Sequence, residues 1–359
     1  MLPAMRPTHE LAALIAAILV AHSPAHASDT PQTIVVTATR HAISYLDAPA
    51  ALSVVTRQDI EARGADDVID AIRGETGLSL QGRAVGGRKV ISVRGMDSRQ
   101  TLFLVDGRRV GASDGVIGAS DFQYAWIAVE DVERIEIVRG PMSVLYGSEA
   151  MGGVVNIITR EPGDQWRFGA SAEGSRAEGG RGGDGWRTAV RADGPLGHDL
   201  YLRAGAAASQ VDALASPADP RIAELEAREK RDGWLGLGWR GAKAQRVDFE
   251  HRVDNEIREA DARERAGQRR YHVTINDIER SITSIGWEAE WAGMRDGGPL
   301  ATQLRGYRSV IDVENRRTQG VATNPPQTIE ESVLEGQARL PSAAHVLTAG
   351  FEARNESRR

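Results

Sequence analysis

VERIEIVRGPMSVLYGSEAMGGVVNIITR, residues 132–160, sets two apolar runs on either side of a glycine-studded link. The first run, ERIEIVR, has to stop at Gly140-Pro141, because Pro141 has no N–H to donate to a strand ladder. Gly147, Gly152 and Gly153 then permit tight backbone turns before the second run, VVNIIT. Strands this short, joined by so little chain, read as the scaffold of a small domain.

The sequence on the amino-terminal side has the same texture. LSVVT, VISVRG and TLFLVDG are further short apolar runs broken by Gly, Asp and Arg. In TLFLVDGRRV the Asp106-Gly107 pair is a two-residue turn signal, with glycine free to take a positive φ, and is read as a structural hairpin without chemistry of its own. Residues 59–77, DIEARGADDVIDAIRGETG, carry Ile60, Val68, Ile69 and Ile72 at helical spacing and end on Gly74 and Gly77. Residues 41–162 are therefore expected to form a compact α+β domain of short strands with one or two helices.

From Trp166 the texture changes. Nine segments, from WRFGASAEGS to HVLTAGFEARNES, alternate large apolar or aromatic residues with small or charged ones. One face of each strand is then apolar and the other polar, the pattern of an outer-membrane barrel wall with lipid outside and water or protein inside. A soluble antiparallel sandwich also alternates. Here, however, short links (194–199, 240–245, 293–299) take turns with longer polar loops such as 211–231, as periplasmic turns do with extracellular loops. Trp166, Trp186, Trp234, Trp239, Trp287 and Trp291, near strand ends, read as interfacial aromatic girdles.

The strand count sets the scale. A barrel of about eight strands is filled by its own side chains, and a domain of about 128 residues has a radius of gyration of about 14 Å. Enclosing it calls for about twenty strands or more. The chain stops at NESRR with no closing strand that ends in an aromatic residue. It is read as the amino-terminal part of a larger protein, with about 9 of about 22 strands of a large antiparallel transmembrane β-barrel in residues 163–359.

Residues 1–27 carry Arg6, the unbroken apolar run LAALIAAILVA and the small-x-small site Ala25-His26-Ala27, which together read as a secretory signal peptide. That apolar run falls well short of the roughly 20 residues needed to span a bilayer. In the segment that follows, 28–40, TIVVTA (33–38) is a strand-favouring ribbon near the new amino terminus. An extended segment with free backbone N–H and C=O groups can add itself to the edge of another protein's sheet.

Composition removes several classes of function. A formal charge of −6 over 359 residues gives no electrostatic case for nucleic acid. The absence of cysteine excludes disulfides, thiolate metal sites and cysteine nucleophiles. There is no G-x-S-x-G, P-loop or H-E-x-x-H, and the eight histidines do not cluster at metal-ligand spacing, so neither an enzyme nor a metal cofactor is expected. Mean hydropathy is −0.35, and no stretch after the leader suits a spanning helix, which leaves strands as the means of crossing a membrane.

The order of these pieces resembles that of the TonB-dependent outer-membrane receptors. ISVRGMDSRQTLFLVDGRRV (91–110), followed by residues 132–160, is similar to the plug signatures of that family. Within it, MDSRQTLFLVDGRRV, DFQYAWI (121–127) and RGPMSVLYGSEAMGGVVNIIT most resemble the colicin I receptor and its catecholate-siderophore relatives, while cobalamin receptors share ERIEIVRGP and YGSEAMGGVVNIIT. The resemblance makes 41–162 a plug domain and 163–359 the first part of the barrel. It makes Thr33, Ile34, Val35, Val36, Thr37 and Ala38 a TonB box.

It implies import of a ferric siderophore, catecholate in class, across the outer membrane of a Gram-negative bacterium, with no cofactor and the iron carried as ligand. The implied partners are TonB with its inner-membrane motor proteins, the siderophore, outer-membrane lipid, and colicin or phage, the receptor itself being a monomer. A receptor for cobalamin or another small ligand is one alternative. A passive channel is another, but it has no use for a plug or a box.

The resemblance also implies that Arg94 and Arg139, each closing an apolar strand before a glycine, pair with glutamates on the barrel's inner wall in strands past residue 359. A ferric tris-catecholate is a bulky aromatic trianion. Arg83 and Arg88 in the loop QGRAVGGRK (81–89), aided by Tyr124 or Trp126, suit its charge and its faces, and GASDGVIGASD (111–121) is a second candidate loop.

Overall fold

The computed structural model describes residues 35–36, 43–44, 51–82, 88–110, 122–241, 244–264, 269–292, 298–321, 323–342 and 345–359. The expected signal peptide, Thr33, Ile34, Thr37, Ala38, Arg83 and the loop 111–121 lie outside the described residues.

The amino-terminal part begins with two short strands, β1 (Val35–Val36) and β2 (Ile43–Ser44), paired antiparallel to each other. Next come β3 (Ala51–Thr56), helices α1 (Arg57–Ala62) and α2 (Val68–Ala71), and the hairpin of β4 (Leu78–Gly82) with β5 (Lys89–Val93). The remaining elements are β6 (Thr101–Val105), β7 (Arg108–Arg109), β8 (Val132–Arg139), helix α3 (Ser143–Tyr146) and β9 (Gly153–Thr159). One sheet runs β3-β8-β9-β6-β7, antiparallel except for the β6–β9 pair.

The expected helical stretch divides in two because Gly64 turns the chain at φ 57°. Thr56 starts α1 with a capping box, in which side chain and backbone at the two ends of the first turn satisfy each other's free amides. Its hydroxyl accepts from the Asp59 amide at 3.2 Å, and the Asp59 carboxylate accepts from the Thr56 amide at 2.8 Å. Ile60, Val68 and Ile72 then point into the sheet, joining Ile91, Phe103, Ile135, Ile137, Val155 and Ile157 in one core. Each such fully buried side chain contributes about 1.5–3 kcal/mol. β8 ends at Arg139, immediately before Gly140-Pro141, as the missing N–H requires. At Gly153 φ is 157°. A Cβ there would run into the Val138 carbonyl of the neighbouring strand, so only glycine lets β9 start against β8.

The wall is a single sheet of nine strands in chain order, every neighbouring pair antiparallel. They are β10 (Arg167–Ser175), β11 (Gly185–Gly197), β12 (Leu200–Val211), β15 (Ala227–Gly241), β16 (Gln245–Arg263), β17 (Tyr271–Trp291), β18 (Leu300–Arg317), β19 (Gln327–Pro341) and β20 (Val346–Arg358). A small hairpin, β13 (Leu214–Ala215) with β14 (Ala223–Leu225), lies between β12 and β15. The long loop expected at 211–231 is therefore shorter, since β15 already begins at Ala227. No described helix is long and apolar enough to cross a membrane.

One hydrogen-bonded row on the outer face reads Phe168, Ala192, Ala204, Leu235, His251, Thr283, Arg308, Ser332, Asn355. It starts apolar near the beginning of β10 and ends polar. On β20 the exposed Leu347 and Phe351 lie nearer the short β19–β20 turn. Barrel strands tilt by about 35–45°, so a row perpendicular to the strands climbs out of a level apolar belt, as this one does. Trp166, Trp186, Trp239 and Trp291 are exposed outside, as a girdle requires. Trp234 corrects the expectation: it faces inward at 5% exposure, against Ala128, Ala189 and Ala207, because it occupies the lumen-facing phase of β15 and Gly205, opposite it on β12, leaves room for its ring.

Candidate functional site

The wall strand β16 alternates strictly. Val247, Phe249, His251, Val253, Asn255 and Ile257 face out, while Arg246, Asp248, Glu250, Arg252, Asp254, Glu256 and Arg258 face in. A strand's side-chain period of two places all seven charges on one lumen-facing line. Neighbours two apart neutralise one another: Arg246 pairs with Asp248 at 2.7 Å and Arg258 with Glu256 at 2.7 Å, and Arg252 bonds Glu250. From β17, Arg280 adds bonds to Asp254 and, at 2.6 Å, to Glu256.

The plug closes onto this line. Arg108 of β7 reaches Glu250 at 2.7 Å, and Arg203 of β12 reaches the same carboxylate at 3.1 Å. Asp131, just before β8, accepts from Arg252 at 2.6 Å with both side chains nearly fully buried. Burial pushes the Asp131 carboxyl above its ordinary value, opposed by the Arg252 guanidinium against it. Arg187 meets Glu130 at 3.1 Å, Arg280 donates to the Phe122 carbonyl at 2.6 Å, and Arg305 donates to the Asp106 carbonyl at 2.9 Å. The Asp106-Gly107 turn, with φ 48° and 76°, is thus a two-residue hairpin as expected, but it is also an anchor. Most of these cations stand on the wall, and most of the groups receiving them stand on the plug.

Nearer the extracellular loops, Arg88 donates to Glu226 at 3.1–3.2 Å, and Glu226 also accepts from Arg258 at 3.1 Å. Both guanidiniums lie against the Phe122 ring, 4.7 and 4.8 Å from its centre. Above them Tyr271 donates to Asp219 at 2.7 Å. Hydrogen bonds from Arg221 and Tyr271 hold the Asp219 carboxyl well below the usual carboxylate range.

Several expected site residues are placed differently. Tyr124 and Trp126 are not presented to the outside: both are core residues, 3% and 4% exposed, Tyr124 at the end of a short 3-10 segment (Phe122–Tyr124) and Trp126 two residues beyond it. Tyr124 accepts from the Ile91 amide at 3.2 Å and packs against Phe103 at 4.5 Å. Arg88 is in the expected loop but is already held by Glu226.

Among the described residues Arg139 meets no wall carboxylate. It donates to Ser53 at 2.8 Å and to the Thr76 carbonyl at 2.6 Å, tying β8 to β3 and the turn before β4. Arg94, at φ 52°, is exposed, and among the described residues no carboxylate meets it. Of the box, Val35 and Val36 are described, paired with Ser44 and Ile43. The seam residues Asp131, Arg108, Glu250, Arg252 and Arg280 were not singled out from sequence. The signal for those on β16 was present in RVDFEHRVDNEIRE (246–259), whose charges repeat at the strand period. Among the described residues no group of His, Asp or Glu side chains is arranged to hold a metal ion.

A folded plug seated on an antiparallel wall, apolar outside and charged toward the lumen, defines a plugged outer-membrane barrel protein. Residues 44–154 match the TonB-dependent receptor plug domain family. The chain is 30% identical over 349 residues to an iron-regulated outer membrane virulence protein of Vibrio cholerae, covering 92% of this chain and 49% of that protein. It is 34% identical over 218 residues to the ferric enterobactin receptor PirA of Pseudomonas aeruginosa, covering 55% of this chain and 29% of that receptor. The crystal structure of a variant ferric enterobactin receptor, PfeA of Pseudomonas aeruginosa, superposes with a TM-score of 0.69 at 25% identity, covering 86% of this chain and 49% of that one. Residues 44–154 are thus a plug domain of the TonB-dependent receptor family, and the chain spans about half the length, 49%, of its Vibrio cholerae relative.

Proposed function

We propose that the protein carrying this chain imports a ferric siderophore of the catecholate class into the periplasm, with TonB supplying the work through the ribbon TIVVTA. The observation that supports this most is the seam. The plug is held to the wall by ion pairs such as Arg252–Asp131 and Arg108–Glu250, which water can replace when the plug shifts. The outer membrane offers no ATP, so transport against a gradient has to be driven mechanically from the periplasm. A pull on a segment leading into β3, the edge strand of the plug sheet, is well placed to disturb that sheet, because an edge strand has only one neighbour to lose. The names of the relatives, two of them ferric enterobactin receptors, favour a catecholate ligand.

The ribbon is argued from its backbone. Val35 and Val36 already adopt strand conformation, and β-augmentation needs their N–H and C=O groups turned to a partner's sheet edge in place of Ile43 and Ser44. In an iron-starved strain depending on the full-length receptor, Val35→Pro is expected to abolish growth on ferric enterobactin while the receptor still binds it, because proline removes a ladder donor. Normal growth of that mutant, or wild-type uptake in a strain lacking TonB, overturns the driven mechanism. Failure of the wild-type receptor to bind ferric enterobactin overturns the catecholate assignment.

A further inference from the structure

The cluster around Glu226 is more than a plug–wall tie. Glu226 stands where the β13–β14 hairpin enters β15, on the side of the long loops, and its carboxylate is shared by Arg88 of the plug and Arg258 of the wall. Of the three side chains only Arg88 reaches the surface appreciably, at 13% exposure against 1% for the other two. Arg228 stands 3.8 Å from the same carboxylate, and Arg258 has Glu256 as a second partner; a carboxylate divided in this way satisfies Arg88 less than a dedicated partner would. A ligand with several negative charges, arriving from outside, is the stronger competitor for Arg88, the partly exposed cation bonded to Glu226. When Arg88 turns to it, Glu226 keeps Arg258 and no carboxylate is left buried alone.

That exchange has a route inward. Arg88 immediately precedes β5, and its guanidinium rests on Phe122, whose carbonyl is held by Arg280. Two residues on, Tyr124 binds the β5 backbone at Ile91 and packs on Phe103 of β6.

The geometry points to Glu226 as a built-in competitor for the ligand: it holds Arg88, and only a multiply anionic ligand displaces it. Glu226 thereby selects for ligand charge. The inference rests on the proposed function for the anionic character of the ligand.

The test uses full-length receptor in detergent, with binding of ferric enterobactin measured by titration calorimetry. Glu226→Gln is expected to tighten binding about tenfold, the scale of one charge-assisted hydrogen bond no longer displaced. Glu226→Asp keeps the charge but withdraws the carboxylate from Arg88, and is expected to tighten binding about threefold. It separates local competition from net charge and covers the case in which the glutamine variant does not fold. Glu224→Gln, the same charge change at an exposed position of the same hairpin, is expected to leave affinity within about twofold. Equal effects of Glu226→Gln and Glu224→Gln, or unchanged or weaker binding by both Glu226 variants, overturns the competitor while leaving the catecholate reading intact. A wild-type receptor that binds no ferric enterobactin overturns both.

Discussion

The plug meets its wall in two chemically different ways. Against β16 the contact is made of charges: Arg108 with Glu250, Asp131 with Arg252, and the Phe122 carbonyl with Arg280 of the adjoining strand. Against β17, β18 and β19 hydrocarbon dominates, for Ile278, Ile282, Ile311, Ile329 and Val333 are contiguous with the plug's own core, although Arg280 of β17 and Arg305 of β18 also donate to plug carbonyls. The two respond differently to being parted. An apolar contact that opens to water loses about 25 cal/mol for each Å² exposed, and nothing replaces it. A parted ion pair regains hydration, so much of its attraction is returned. The difference makes β16 the side on which the plug can be released and β17–β19 the side on which it stays docked. A plug that separates from the β17–β19 side first, by cysteine cross-linking under load, contradicts that division.

The largest expected effect comes from leaving a charge behind on the β16 side. Arg252→Leu strips Asp131 and Glu250 of a shared cation at almost full burial. It is expected to cost about 3–5 kcal/mol in urea unfolding of the plug. The double variant Asp131→Leu, Arg252→Leu is expected to recover most of that, since the pair together is worth little more than well-packed hydrocarbon. A double variant as unstable as the single one means that the seam depends on the ion pair itself.

On the other side, Ile282→Ala is expected to cost about 3 kcal/mol through lost burial and the cavity left behind. No second substitution in contact with it restores the loss as the double leucine does. A negligible cost breaks the comparison, because it means that the hydrocarbon side does not hold the plug.

Smaller effects separate the two plug arginines. Arg139→Ala removes hydrogen bonds to Ser53 and the Thr76 carbonyl. By the same unfolding measurement its expected cost is about 1 kcal/mol. Arg94→Ala, at an exposed position, is expected to stay within about 0.5 kcal/mol. A loss above about 2 kcal/mol for Arg94→Ala means that a buried partner for it lies outside the described residues.

Much of the fold was legible because its signals are local. The nine wall segments, the end of β8 at Gly140-Pro141 and the Asp106-Gly107 turn follow from period, a missing donor and a φ preference, each carried by a few adjacent residues. The site was less legible because a seam is a relation between distant residues. Asp131 and Arg252 lie 121 positions apart, and nothing in either short stretch names the other. Trp234 shows the same limit: its type suits an aromatic girdle, but the phase of β15 turns it inward against Gly205. Tyr124 and Trp126 were misplaced for a related reason, since a polar-tipped aromatic in an irregular segment suits a binding loop or a core equally well. The charge line of β16 lay in plain view and needed only the strand period to be read on its polar face.

A further small effect belongs to neither side of the seam and calibrates the others. The α1 capping box is internal to the plug, and Thr56→Ala is expected to cost about 1 kcal/mol at neutral pH. Its pH dependence has a definite sign. The hydrogen bond from the Thr56 hydroxyl, with that from the Thr56 amide, holds the Asp59 carboxyl below its ordinary value of 3.8. A group lowered in the folded state contributes stability that is present above its unfolded value and lost as pH falls through the folded one. The gap between wild type and Thr56→Ala should therefore be constant from neutral pH down to about 5 and narrow below about 4, as protonation weakens the hydroxyl-to-carboxylate bond that only the wild type has. It does not close, because the Thr56 hydroxyl still accepts from the Asp59 amide. A gap that widens on acidification would mean that Asp59 is more readily protonated in the wild-type plug than in the Thr56→Ala plug, which is incompatible with a Thr56 hydroxyl that donates to the carboxylate.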